Sequence, residues 1–336
     1  MSLNKTFTIC CFWAVVSTVQ AQQASIISLQ SGSKKSIRGL SVVNNQVLWV
    51  SGNAGTVGRS VDAGKTIEWM KVKGYEKTDF RDIEAFDEQT AIIMGISEPG
   101  IILKTRDAGQ NWQLVFKDTA KGMFLDAMHF MDEKRGIVVG DPLQNQVYLA
   151  ATIDGGESWI KTTHDKAGNL NVNEGEAFFA SSGTNIHLGN EIVFVSGGKR
   201  SRLFYGKQQL DLPLVQGKES TGANSIALYR NKKGVIVGGD FSKDTISAGN
   251  CALFTVSKDI KLSTPLTAPH GYRSCVIYID QHKLITCGTS GVDVSKDGGK
   301  NWKFISSVGY HVVQKAKTGN AVYLAGGDGR IAKLAW

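Results

Sequence analysis

No hydrophobic run in this 336-residue sequence is long enough to cross a bilayer as a helix; the most apolar stretch, Phe7 to Val16, has ten residues. Lys and Arg are scattered rather than clustered, which argues against nucleic acid as a partner. There is no C-x-x-C, and His129, His164, His187, His270 and His282 stand at no metal-ligand spacing, so no metal centre is expected. Gly52, Gly55 and Gly58 lack the strand–turn–helix surroundings of a nucleotide loop, and no flavin, haem or dinucleotide motif is present, so no cofactor is expected. A helical period is missing from every useful window, which leaves an all-β chain.

What is present begins with a leader-like N-terminus. Lys5 precedes the apolar run, and Val19-Gln20-Ala21 places small residues at the −3 and −1 positions of a cleavage site. Residues 1–21 therefore read as a signal peptide cleaved after Ala21, and the protein is expected to be exported, periplasmic or secreted. Cys10 and Cys11 open the apolar run rather than follow it, so a lipid anchor is not expected. Residues 22–336 then form a single domain with a net charge of about +7, enough for a general attraction to acidic surfaces. Three cysteines remain. Cys275 and Cys287 lie on two apolar runs joined by Asp280 to Lys283 and can face each other across a hairpin; a disulfide and buried free thiols both fit, and Cys251 is left over.

The chain is repetitive. Ser/Thr-x-Asp-x-Gly-x-x-Trp occurs at Thr105 to Trp112, Thr152 to Trp159 and Ser295 to Trp302, with a weaker copy at Ser60 to Ile67. The intervals are 45, 47 and 143 residues, the last about three repeats long. Apolar segments that end in glycine also recur, before Gly52, Gly95, Gly140, Gly197, Gly238, Gly288 and Gly326, which makes seven units. Short Val-, Ile- and aromatic-rich runs between Gly and Asn turns read as strands, four to a unit. Four strands repeated at this length predict a seven-bladed β-propeller of antiparallel blades. The last unit stops after its third strand, and Ser25 to Leu29 is expected to complete it and close the ring, removing the open edges.

The recurring turn has a structural reading. Its Asp accepts backbone amides, its Gly tolerates positive φ, and its Trp covers the neighbouring sheet. Asp62, Asp107, Asp154 and Asp297, with Trp112, Trp159 and Trp302, are therefore assigned to the fold. These turns resemble the Asp-box (BNR) repeats of sialidases, sortilin-type receptors and related propellers. With the glycine-ended strand before it, the fuller repeat is similar to that of the photosystem II stability and assembly factor family. That resemblance covers all of residues 22–336 and implies an exported, seven-bladed propeller that holds a membrane-protein partner.

One rim is the candidate site. Aligning the first strands places Arg38, Arg81, Leu125, Asn224, Arg273 and His311 in one slot near the channel mouth, with unit four aligning poorly near Glu176. Arg38, Arg81, Arg273 and His311, with Asp82, Asp126 and Asp328, are the candidate binding residues; Glu98, Asp141 and Asp240 add acids to the same rim. The assembly-factor family is similar in carrying an arginine patch. Arginine suits carboxylate recognition, so an acidic ligand or a protein partner of the envelope is expected, and pairing between these arginines and acids is the structural alternative. A sialidase-like glycoside hydrolase also uses three arginines, but needs a Tyr nucleophile with a Glu and an acid–base Asp, and no such Tyr–Glu pair stands out. Its usual Arg-Ile-Pro opening is missing too, since Gly39-Leu40 follow Arg38. No catalytic residue is assigned, and a non-enzymatic binding role is preferred.

Overall fold

The computed structural model describes residues 24–162 and 170–336; residues 1–21, with the expected leader, lie outside them. Seven antiparallel sheets are arranged as the blades of a propeller. Blade 1 comprises Ile37–Val42, Leu48–Gly52, Thr56–Ser60 and Glu68–Lys71, and blade 2 Phe80–Ala85, Ala91–Gly95, Gly100–Thr105 and Gln113–Asp118. Blade 3 comprises Leu125–Phe130, Gly136–Leu143, Gln146–Thr152 and Ile160–Lys161. Blade 4 is shorter, with Ile186–Leu188, Ile192–Val195, Arg202–Tyr205 and Gln208–Asp211. Blade 5 runs through Thr221–Tyr229, Lys233–Asp240, Cys251–Val256 and Ile260–Ser263, and blade 6 through Cys275–Tyr278, Leu284–Gly288, Gly291–Ser295 and Trp302–Ser306. Blade 7 takes Val312–Lys315, Val322–Ala325 and Ile331–Ala335 from the C-terminal end and Ser25–Leu29 from the other, paired Ser25 to Ala335 through Leu29 to Ile331. The expected seven blades and closing strand are both present.

Unit four departs from its expected alignment. Its inner strand is Ile186–Leu188, ten residues beyond Glu176, and Glu176–Ala177 instead pairs with Gly197–Gly198 as an inward extension of the blade 5 sheet. Glu176 is buried in an ion pair with Arg202, 2.7 Å from its Nη2, and so belongs to the fold.

The inner strands of neighbouring blades share no ladder, yet their amides are buried and need acceptors. Side chains of the preceding blade supply most of them. Ala85 N donates to Ser41 Oγ (3.0 Å), Met128 N to Asp82 Oδ2 (2.7 Å), Leu188 N to His129 Nδ1 (3.1 Å), Val276 N to Ser225 Oγ (3.0 Å) and Val313 N to Cys275 Sγ (3.4 Å). Between blades 4 and 5 the acceptor is a carbonyl, Thr184 O, at 2.9 Å from Ile226 N. Blades 7 and 1 are joined by Lys317 N to Val42 O and Thr318 N to Val43 O. Cys275 and Cys287 are directly opposed across their hairpin, as anticipated, but all three described cysteines are free thiols.

The aspartate turns join third to fourth strands and pack on the blade before. In the turn at 152–159, Asp154 accepts from the amides of Glu157 and Ser158 at 3.0 Å and from Ser158 Oγ at 2.6 Å, while Thr152 Oγ1 donates to Asp154 and accepts from Gly156 N. Asp62, Asp107 and Asp297 repeat this arrangement. Gly156 needs its φ of +80° and its bare Cα, because a Cβ there would meet Ile92 of blade 2 at 2.4 Å. Trp302 is buried, whereas Trp112 and Trp159 are half-buried. The weaker copy lies at the ring closure: Gly64 abuts Leu29 and Tyr323 of blade 7, and Trp69 Nε1 donates to Ser31 O at 2.6 Å. Ile67 packs against the same blade 7 core in place of the missing Trp.

Trp159 meets Phe130 edge-on at 5.8 Å. Trp159→Ala should lower the unfolding free energy by about 3 kcal/mol, the low end for a large aromatic because it is half-buried; urea denaturation measures this, and a loss under about 1 kcal/mol would contradict the assignment. His129 can accept from Leu188 only while Nδ1 is unprotonated. Burial, with His187 and Lys317 nearby, holds its pKa down to about 3 against an ordinary 6.5. Between those values the unfolded chain binds a proton that the folded chain does not. Its stabilisation is therefore complete above about pH 6.5 and declines as pH falls toward 3, by about 1.4 kcal/mol per pH unit. His129→Gln should flatten the pH dependence of unfolding between pH 6.5 and 4 relative to the parent, and parallel curves for the two proteins would refute this role.

Candidate functional site

The inner strands are bulged near their start, and the bulge decides what faces the channel mouth. Strand pairing skips residue 38 in blade 1, 81 in blade 2, 126 in blade 3 and 224 in blade 5. A bulge re-aims the side chain it carries. In blades 1, 3, 5 and 6 the glycine of the second strand supports the equivalence: Gly52, Gly140, Gly238 and Gly288 lie against the carbonyls of Ser36, Phe124, Gly222 and Tyr272, each two residues before the slot. The slot therefore holds Arg38, Arg81, Asp126, Asn224 and Ser274, and Gly326 against Gly309 and Tyr310 adds His311.

This corrects the sequence alignment at two blades. Asp126, not Leu125, stands in the slot of blade 3. Arg273 lies one residue before it in blade 6, and a one-residue step turns a strand side chain to the other face. Arg273 is accordingly fully buried. Its Nε donates to Asp293 Oδ2 at 2.8 Å, its Nη2 pairs with the same oxygen, and its Nη1 donates to Tyr272 O and Ser290 Oγ. Arg273 is an internal ion pair and not part of the mouth.

Three cations and a histidine do converge. Arg38 is half-buried and donates to Ser181 O at 3.3 Å; among the described residues no carboxylate pairs with it. Burial pushes its pKa down, and Arg81 pushes it further. Arg81 Nε pairs with Asp79 at 2.8 Å. Arg330, on the blade 7 loop between second and third strands, reaches Asp328 only at 3.5 Å, with that carboxylate 85% exposed. His311 sits among Arg38, Arg330 and Arg81. Its burial, reinforced by these charges, brings its pKa down to about 3, so it is a neutral ring and not the fourth cation.

Apart from Asp79 and Asp328, the described acids of this rim make no pair with the arginines. Glu98 accepts from Gly122 N, Asp141 from Phe178 N at 3.0 Å, and Asp240 from Ser242 N and Oγ. Asp82 is buried below the mouth, bonded to the amides of Ile83 and Met128, and burial raises its pKa well above the usual range. Asp126 is also fully buried and strongly raised by burial and by Asp141, with Arg81 opposing. The amides of Ala180 and Asp141 lie near it, but neither of its oxygens makes a hydrogen bond of normal geometry.

A segment that the repeats did not reveal closes the channel beneath these groups. Residues 179–184, preceding the inner strand of blade 4, reach Arg38 of blade 1 through Ser181 O and Asn224 of blade 5 through Ser181 Oγ. Ser182 Oγ donates to Ser274 O of blade 6 at 2.7 Å. Gly183, at φ +68°, passes so close to Asp82 of blade 2 that a Cβ would lie 2.4 Å from its carboxyl. This plug separates the arginine mouth from a cavity of about 590 Å³ on the opposite rim. Glu84, His129, His187, Gln314, Lys315 and Lys317 line that cavity, and Gly183 contributes to its wall.

Sequence reasoning also missed Arg330 and an aromatic ledge beside Arg38. Phe241 stacks edge-on with Phe179 (5.8 Å) and with Tyr272 (6.2 Å). The one signal for the plug was the length of chain between the turn at 152–159 and the strand Ile192–Val195.

No family model matches the chain, and no curated protein sequence matches it. Solved structures do. A structure of YCF48 bound to D1 peptide is 15% identical with a TM-score of 0.64, covering 95% of this chain and 98% of that one. YCF48 from Cyanidioschyzon merolae is also 15% identical, with a TM-score of 0.62 over 92% and 98% of the two chains. The Pan2 WD40 domain of Neurospora crassa is 14% identical, with a TM-score of 0.61 over 89% of each. At these identities the likeness is one of fold, and it places this chain among the β-propellers.

Proposed function

We propose that this protein is an exported, non-enzymatic propeller that binds an acidic segment of a protein partner at the arginine mouth. In this reading it is an assembly or stability factor for an envelope complex, and its aspartate turns are Asp-boxes. The observation that carries the reading is Arg38, a half-buried guanidinium with no carboxylate partner, held next to Arg81 while Glu98, Asp141 and Asp240 serve backbone amides. Like charges brought together where water is partly excluded repel, and an acidic ligand relieves that repulsion. The likeness to YCF48 bound to D1 peptide supports a propeller of this form holding a peptide, and the leader-like N-terminus supports export. A three-arginine sialidase centre fits less well, because Arg273 is committed to Asp293, and the hydroxyl of Tyr272, beside Arg38, donates to Asn224 rather than pairing with a Glu.

The test is the double variant Arg38→Ala/Arg81→Ala of the protein from residue 22 onward. Partner capture from envelope extracts should be lost while Tm changes by no more than about 2 °C or rises, since only the partly exposed pair of Arg81 with Asp79 and the long hydrogen bond from Arg38 to Ser181 O are given up. A double variant that melts much earlier yet still captures its partner would end the proposal.

A further inference from the structure

The mouth carries a second feature that charge alone does not explain. Phe241 is 49% exposed although it sits on an anchored loop rather than a mobile one. Asp240 caps the short 3-10 turn Phe241–Lys243 through Ser242 N. Asp244 fixes the same loop to blade 6: its carbonyl accepts from Tyr272 N at 2.9 Å and its carboxylate from Thr289 Oγ1 at 2.7 Å. The ring of Phe241 stands perpendicular to Phe179, which itself lies over Gly197, where a Cβ would leave only 2.3 Å. Phe241 and Phe179 thus form an exposed apolar ledge, backed by the buried ring of Tyr272.

The ledge is continuous with the arginine cluster. Tyr272 Oη lies 3.3 Å from Ser181 Oγ, and Ser181 O accepts from Arg38. From the guanidinium to Phe241 the path runs through Ser181 and Tyr272 alone. Those contacts put both parts within reach of one short extended segment, which advances about 3.3 Å per residue.

We propose that the mouth is a two-part docking surface for an extended peptide segment of a partner protein. An Asp or Glu side chain of that segment meets Arg38 and Arg81, and a large apolar or aromatic side chain a few residues away lies on Phe241 and Phe179. This rests on the acidic-partner reading above and adds what selects among acidic partners. Charge complementarity fixes one end of the segment, and the exposed aromatic fixes the other. Rigid rings next to a charged anchor concentrate binding energy in few residues.

The test uses synthetic decapeptides, N-acetylated and C-amidated, with one Glu and one Trp separated by one to four Gly or Ser residues. Control peptides replace Glu with Gln or Trp with Ser. Affinities are measured by fluorescence anisotropy for the parent protein, Phe241→Ala, Phe241→Leu and Arg38→Ala/Arg81→Ala. The Glu–Trp peptide at the favoured spacing should bind the parent at least about tenfold tighter than either control. Phe241→Ala should remove most of that tenfold advantage while leaving the Glu-only peptide unchanged, and Phe241→Leu should restore part of it. Far-UV dichroism and Tm matching the parent establish that the exposed substitution leaves the fold intact. If Phe241→Ala changes no affinity while the arginine variant abolishes binding, the ledge has no role and the acidic-partner reading stands. If the Glu–Trp peptide binds the arginine variant as well as the parent, the acidic-partner reading fails and the ledge is an apolar site only, so the two-part surface fails with it. A parent protein that binds none of the peptides overturns the two-part surface outright.

Discussion

The ring is governed by a problem of buried amides. Blades are tied within themselves by strand ladders, but between blades the inner strands have donors and no ladder to receive them. Five side chains and one carbonyl answer this in sequence around the channel, from Ser41 on blade 1 to Cys275 on blade 6. An unmet buried donor is costly, so these acceptors tie each inner strand to its neighbour. They also settle the identity of residues that look chemical in isolation. Asp82, His129 and Cys275 are acceptors for a neighbour's backbone; burial raises the pKa of Asp82 and lowers that of His129, whereas hydrogen bonds hold the Cys275 thiol down against its burial.

The same packing creates the asymmetry of the two rims. On one rim the turns are local and self-satisfied, each Asp bonded within its own loop and each glycine pressed on the preceding blade. On the other, the bulged slots present Arg38 and Arg81, and Asp126 lies buried behind them. The plug from blade 4 provides the floor and a wall for both sides: its Ser181 carbonyl holds Arg38, and its Gly183 borders the cavity beneath.

The parts legible in the sequence were those governed by short-range rules. The aspartate turns bond within a few residues, so their spacing alone disclosed both role and repeat, and the seven glycine-ended strands disclosed the blade number. The closing strand followed from a count of strands in the last unit. The mouth was only partly legible, because a bulge adds a residue whose presence no alternation reveals. Arg38 and Arg81 were placed in their slot, while Arg273 slipped by one position into the interior of its blade. The neutrality of His311 depends on burial among three arginines from separate units, a fact of assembly rather than of pattern. The plug belongs to no repeat, so repeat reasoning passed over it.

The pairing of Ser25–Leu29 with Ile331–Ala335 brings nearly opposite ends of the polypeptide into one sheet. Among the described residues this is the ladder of greatest sequence separation, and it closes the longest loop of chain. Without it, the seventh blade would lack its outer strand and Ile331–Ala335 would show unpaired backbone to solvent. That vacancy accepts any strand of the right sequence, and an identical molecule carries one. Intramolecular closure therefore competes with strand exchange between molecules, and dilution during folding favours the monomeric ring.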